Sequence, residues 1–266
     1  MIAVSGVSPF VLALIYFCAL GLRPACAGAF LLEPGKWKVI ATTRASTSSA
    51  RYDERGRLVA EKRYGKTESA TLIEYGYDRD VTLLLSPAFR SLRAQGPPEQ
   101  RAVSIGSLDL GARWRILSAD AQILSFQVLT RLPARSDPVF WLENRAKTEL
   151  RLGYGRSDLF LRGRGAFVDT GLSWAKRAEP WRDEVHIDPT FGWKTWADRL
   201  ALIQWNYSLW PGAQGQMRAP RQLKLEASSV QNLGAGWSFQ VGSFVSRGGV
   251  ATRYERGSII GLWRAF

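Results

Sequence analysis

Apolar and polar residues alternate along much of this chain with a period of two. The pattern is plainest in Arg199 to Phe266. Ile203, Trp205, Tyr207 and Leu209 share one parity, with Gln204, Asn206 and Ser208 between them. Leu223, Leu225 and Ala227 alternate with Gln222, Lys224 and Glu226, and Trp237, Phe239, Val241 and Val245 with Ser238 and Gln240. A period of two is the signature of a strand with one apolar and one polar face. The middle of the chain repeats it. Leu108, Leu110, Ala112, Trp114 and Ile116 oppose Asp109, Arg113 and Arg115. Leu124, Phe126 and Val128 oppose Ser125, Gln127 and Arg131, and Thr148, Leu150 and Leu152 oppose Lys147, Glu149 and Arg151. Val185, Ile187, Phe191 and Trp193 oppose Glu184, His186, Asp188 and Lys194.

Strand-length runs fall at roughly 36–51, 66–77, 81–91, 104–117, 121–132, 144–154, 165–178, 183–196, 199–210, 220–231, 235–247 and 253–266. Their even number of about 12 suits an antiparallel transmembrane β-barrel, apolar parity to lipid and charged parity to the lumen. A cation or anion facing lipid at mid-membrane costs about 2–4 kcal/mol, which explains why charge keeps to one parity. The run at 66–77 is weak, with little apolar on its outer parity beyond Ile73 and Tyr75, and the last run is ambiguous in phase. Pro189 inside the eighth run predicts a bulge, and Pro87 raises the same question in the third.

The connections alternate in character. Asp78-Arg79-Asp80, Ser118-Ala119-Asp120, Ala197-Asp198 and Asn232-Leu233-Gly234 are tight turns without proline. The others are longer and hold Pro97, Pro98, Pro133, Pro138, Pro180, Pro211 and Pro220. Short turns on the periplasmic side and long loops outside are the outer-membrane arrangement. The stretch 153–164 is the exception: too long for a periplasmic turn, unless it hides strand residues. Trp37, Trp114, Trp193, Trp196, Trp237 and Trp263 fall near the periplasmic ends, and Trp141, Trp174, Trp181 and Trp210 near the outer ends, as two aromatic belts require.

Residues 1–27 read as an export signal. Phe10 to Leu22 is almost wholly apolar, and Ala25-Cys26-Ala27 fits the small-residue cleavage pattern, so Gly28 begins the mature protein and 28–266 form one barrel domain. Both cysteines, Cys18 and Cys26, lie in that segment. The mature chain therefore has no disulfide, thiolate metal site or cysteine nucleophile. The location expected is the outer membrane of a Gram-negative bacterium. The chain is basic, with 36 Lys and Arg against 23 Asp and Glu. Export and lipid-facing residues argue against nucleic acid as the partner. Arg51, Arg55, Arg57, Lys62, Arg63 and Lys66 in the first outer connection, and Arg93, Arg101, Arg135, Arg182, Arg218 and Arg247 in later ones, are placed to meet lipopolysaccharide phosphates.

Several short motifs resemble known barrels. Glu74-Tyr75-Gly76, an acidic turn and Val81-Thr82-Leu83 resemble the periplasmic hairpin of small outer-membrane transport-type barrels. Leu110-Gly111-Ala112-Arg113-Trp114-Arg115 looks like their next strand. The mature chain is similar to XagA-like outer-membrane proteins and, more loosely, to the phenol-degradation outer-membrane family. The resemblance implies an outer-membrane barrel with a transport role and assigns no functional residue. Phe266 is similar to the C-terminal signal read by the barrel-assembly machinery, with Arg264 standing where an aromatic is often found.

The inner parity carries the lumen candidates Arg44, Glu68, Glu74, Asp109, Arg113, Arg115, Arg131, Lys147, Glu149, Arg151, Glu184, His186, Asp188, Lys194, Lys224 and Glu226. Basic rings attract anions, whereas mixed signs also fit a self-neutralising ladder between strands. His186 is the only histidine, with Asp188 and Glu184 two residues away. With Ser173 or Ser208 it admits a lipid or lipid A hydrolase, provided nucleophile, base and orienter meet in space. One imidazole and no thiolate do not make a metal site. The primary expectation is a passive channel or binder of small, anionic or aromatic solutes needing no cofactor. The alternatives are the hydrolase and a closed structural or adhesion-linked barrel.

Overall fold

The computed structural model describes residues 28–94, 100–133, 146–177, 183–211 and 219–266. Residues 1–27, expected to be an export signal, and Trp141, Trp181, Arg135, Arg182, Arg218, Pro97, Pro98, Pro138 and Pro180 lie outside them, and Arg101 and Pro133 are described in their backbone alone. The strands are β1 (Trp37–Tyr52), β2 (Leu58–Gly76), β3 (Val81–Ala94), β4 (Gln100–Ala119), β5 (Gln122–Pro133), β6 (Lys147–Leu161) and β7 (Arg164–Arg177). They continue with β8 (Glu184–Ile187), β9 (Thr190–Trp196), β10 (Arg199–Leu209), β11 (Arg221–Gly234), β12 (Trp237–Val250) and β13 (Thr252–Ala265).

Neighbours in sequence pair antiparallel, and β1 closes on β13 from Lys38↔Ala265 to Tyr52↔Thr252. A closed sheet leaves no edge for the bilayer to desolvate. Strands β8 and β9 are one barrel strand, interrupted at Asp188 and Pro189. Both pieces pair with β7 on one side and β10 on the other. Pro189 has no N–H to give, yet its carbonyl still accepts from Trp205 N at 3.0 Å, while Asp188 N donates to Gly171 O at 3.1 Å. The barrel therefore counts 12 strands. Pro87 sits in β3, and the register to β2 passes from Ala70↔Ala88 to Ile73↔Leu85 with no bridge between.

Several boundaries differ from the sequence reading, and Arg51, Arg93 and Arg101, expected in outer connections, lie within β1, β3 and β4. Strand β2 begins at Leu58, so the first outer connection shrinks to 53–57 and Lys62, Arg63 and Lys66 lie in the strand. Its outer parity is hydroxyl-rich rather than apolar, which hid it. Strand β6 runs to Leu161, and the turn after it is Arg162-Gly163, both at positive φ (52° and 73°). That two-residue turn matches the right-handed twist of its strands, so 153–164 is strand rather than loop. Arg247 lies within β12, whose connection to β13 is Ala251. The connections 77–80, 120–121, 162–163, 197–198 and 235–236 are all short and lie at one end, which we call periplasmic by the usual arrangement of such barrels, while the other end holds the long connections together with 53–57 and Ala251.

Candidate functional site

The bore is the candidate site. Most charges of the inner parity pair across neighbouring strands. Asp109 takes a forked pair of bonds from Arg131 at 2.8 and 2.7 Å. Glu68 meets Lys66 at 3.1 Å and Arg90 at 3.2 Å. Lys147 lies between Glu149 (3.2 Å) and Glu184 (3.4 Å), and Arg151 pairs with Asp188. Lys224 reaches Glu255 at 3.2 Å. Arg115 is near the rim, 3.8 Å from Asp80, and Lys194 lies beside Gly165. Arg44 and Glu226 are only loosely joined, at 3.5 Å, and the Arg44 side chain is 45% exposed.

At the periplasmic end side chains and an inward-running segment narrow the bore. Glu74 accepts from Arg113 at 3.1 Å and pairs with Lys38 at 3.4 Å, all three side chains being at most 8% exposed. Arg113 also donates to Gln127 Oε1 at 3.1 Å and to the carbonyl of Phe30 at 2.8 Å. Residues 28–33 run inside the barrel rather than below it. Ala29, wholly buried, donates its N–H to Asp169 at 2.7 Å, and Leu32 donates to Thr82 Oγ1 at 3.1 Å. Sequence reading found neither this segment nor Lys38, Arg90, Asp169, Arg177 and Glu255. Parity alone would have found Lys38 and Arg90, which alternate in step with Arg44 and Leu84; nothing in the sequence placed residues 28–33 indoors.

Above this constriction lies an apolar layer: Ile40, Phe167, Leu202, Val230 and Trp263, flanked by Phe30, Leu72 and Leu200. The Phe30 and Phe167 rings meet edge-on, 6.5 Å apart. Gly192 makes the room, since a Cβ there would fall 1.9 Å from Phe167 Cε1. Over the layer opens a chamber of about 210 Å³. Its floor is Leu72, Phe167, Leu202 and Trp263, and its walls include Arg44 and Glu226.

Two tryptophans assigned to the belts face inward instead. Trp263 is 7% exposed and donates to Gln240 Oε1 at 3.2 Å. In β13 both parities carry large apolar side chains, so phase could not be read. Trp210 donates to Glu184 Oε1 at 2.6 Å; a buried carboxylate near the outer mouth drew it in. Trp37, Trp114 and Trp237 are exposed at the periplasmic end. Trp193 lies there too, its indole donating to Leu161 O at 3.2 Å. Arg264 faces outward between the Trp237 and Phe266 rings, 4.9 Å from each, and donates to the Ala235 carbonyl.

His186 bonds Ser208 Oγ at 2.9 Å through Nδ1 and Glu184 Oε2 at 3.0 Å through Nε2. The orienting acid is thus Glu184, not Asp188, which Arg151 engages. This has the outline of a hydrolytic triad without its working parts. Glu184 is already held by Arg177, Lys147 and Trp210. Ser208 is the next-to-last residue of β10, paired with both β8 and β11, where ladder bonds use the backbone N–H groups an oxyanion would need. Among the described residues no group of three or more His, Cys, Asp or Glu side chains is placed to hold a metal ion.

No protein-family model matches the chain, and no curated protein matches it. Solved structures do. The COG4313 outer membrane channel from Pseudomonas putida F1 is 15% identical with a TM-score of 0.72, covering 92% of this chain and 100% of its own. The translocator domain of the autotransporter NalP from Neisseria meningitidis is 10% identical with a TM-score of 0.55, covering 99% and 100%. The NanC porin is 7% identical with a TM-score of 0.53, covering 84% and 98%. At these identities the likeness is one of fold: the chain has the architecture of Gram-negative outer-membrane barrels.

Proposed function

We propose that this chain is a narrow outer-membrane channel that passes or binds small solutes, with a preference for anionic or single-ring aromatic ones. The observation that carries the reading is the chamber. An apolar floor under a loosely held arginine suits a flat, apolar molecule with a negative edge. A cavity of about 150 Å³ is enough for benzene, and drug-sized ligands occupy about 300–1,000 Å³; about 210 Å³ therefore matches one ring. The resemblance to XagA-like and phenol-degradation barrels and the fold shared with an outer membrane channel support a transport role. Arg264, held between Trp237 and Phe266, belongs in this reading to the C-terminal surface offered to the assembly machinery.

Single-channel conductance in planar bilayers, with reversal potentials in a salt gradient, tests it. The wild type should favour anions, and Arg44→Glu should move selectivity toward cations. A protein that never conducts, even without residues 28–33, would instead be a closed barrel with a structural role. The constricted periplasmic end is what favours that second reading.

A further inference from the structure

The apolar band on the outer wall is uneven. On β10, Ala201, Ile203, Trp205, Tyr207 and Leu209 face lipid along the whole strand. On β13 the outward run changes from Leu262 and Ile260 to Ser258 and Arg256. On β1 it passes from Val39 and Ala41 to Thr43, Ala45 and Thr47, and on β2 from Ile73 to Thr71, Ser69, Thr67 and Gly65. The wall thus turns small and hydroxylated halfway up, where Thr43 and Ser69 bond each other at 2.9 Å. A groove of about 730 Å³ lies on this face, spanning Ser243 on β12 to Ser91 on β3.

Arg93 and Arg256 both line it. The register sets them on one row: Arg93 opposite Gly65, Gly65 opposite Thr47, Thr47 opposite Arg256. Three strand spacings separate their backbones by about 14 Å. Both point outward. Leu92 beside Arg93 is buried in the bore against Tyr64, and Glu255 beside Arg256 turns inward to Lys224. Arg256 lies eight residues along β13 from Arg264. A tilted strand climbs about 2.5 Å per residue, which puts Arg256 about 20 Å above the periplasmic belt, near the top of an apolar band about 25 Å tall. There it meets outer-leaflet headgroups.

We propose that this face is a docking surface for a bis-phosphorylated glycolipid of the outer leaflet, one phosphate on Arg93, the other on Arg256, and an acyl chain along the small-residue floor between them. Guanidinium forks match phosphate geometry. A second copy of the chain fits less well, because a two-fold contact over this groove brings like arginines together. The proposal rests on the barrel standing in an outer leaflet, and it is independent of whether the bore conducts.

Native mass spectrometry of the delipidated barrel in detergent, with bis-phosphorylated lipid A against its dephosphorylated form, tests it. The phosphorylated lipid should bind. Arg93→Gln and Arg256→Gln should each weaken binding about tenfold, with conductance and heat-shifted gel mobility unchanged. Gly65→Leu should weaken it too, by filling the floor; a Cβ there meets nothing nearer than 3.9 Å, so the fold tolerates it. Equal binding of the dephosphorylated lipid overturns the proposal. So does full binding by the double arginine variant, which would move the phosphate contacts to the outer connections. A dimer that forms without lipid and is dissociated by Gly65→Leu would make the face an interface between copies.

Discussion

Replacing Glu74 by glutamine probes whether the periplasmic end of the bore is dry. Glu74 is 1% exposed and neutralises two cations, Arg113 at 3.1 Å and Lys38 at 3.4 Å. Glutamine keeps the shape and an acceptor for Arg113 but leaves both cations without an anion. Removing one partner of a buried pair costs about 3–5 kcal/mol, because the remaining charge stays desolvated. Two cations share this anion, so the upper half of that range is expected, more than a hundredfold in the unfolding equilibrium. Urea unfolding of the refolded barrel, followed by tryptophan fluorescence, measures it. The triple variant Lys38→Met, Glu74→Leu, Arg113→Met should recover most of the loss, since apolar replacement of a whole buried cluster is near neutral. It should fall short by about 1–2 kcal/mol, because Phe30 O and Gln127 lose their donor. A loss under about 1 kcal/mol for Glu74→Gln refutes the reasoning: water would then reach the cluster, and the end would be open.

Deleting residues 28–33 should raise single-channel conductance several-fold, and an unchanged conductance would show that the apolar layer alone sets the resistance. Gly192→Ala should expel the Phe167 ring from the chamber floor at a cost of about 1–3 kcal/mol, the usual range for overpacking; near-ultraviolet dichroism of Trp263 and the unfolding midpoint report it, and no change in either counts against the packing described. In the 53–57 turn, the backbone N–H of Arg57, above all, holds the Asp53 carboxyl below its ordinary value, helped by Arg55 N–H and the Arg57 guanidinium. A depressed carboxyl stabilises its turn above the unfolded value of about 3.9 and loses that as pH falls through the folded one. NMR titration of the Arg55 and Arg57 amides should therefore inflect below the ordinary carboxylate range, and an inflection at or above it contradicts the turn geometry.

The outer face of the barrel was legible because lipid punishes charge, so parity along β4, β5, β6 and β10 had one reading. The strand count survived Pro189 for a related reason: Gly171 and Trp205 keep the ladder continuous past it. Illegible features were those where both faces share a chemistry. Ile40, Leu72, Phe167, Leu202 and Trp263 each contribute one apolar side chain to the bore from five different strands, so no single strand advertises the layer. In β13, Ile259 and Ile260 are adjacent with opposite fates, the first buried, the second facing lipid. In β2 the hydroxyl-rich outer parity removed the contrast altogether. Glu184 was legible as charge but not as a hub, because Arg177, Lys147, Trp210 and His186 come from four separate stretches of chain.

The path of residues 28–33 bears on how the molecule is built. The seam that shuts the cylinder joins β1, immediately downstream of that segment, to β13, more than 200 residues later. Once those two are zipped, a peptide carrying Phe30 must thread past a layer of packed rings to reach Asp169. Insertion before the final hydrogen bonds form avoids that obstacle, which makes the order of assembly part of the architecture.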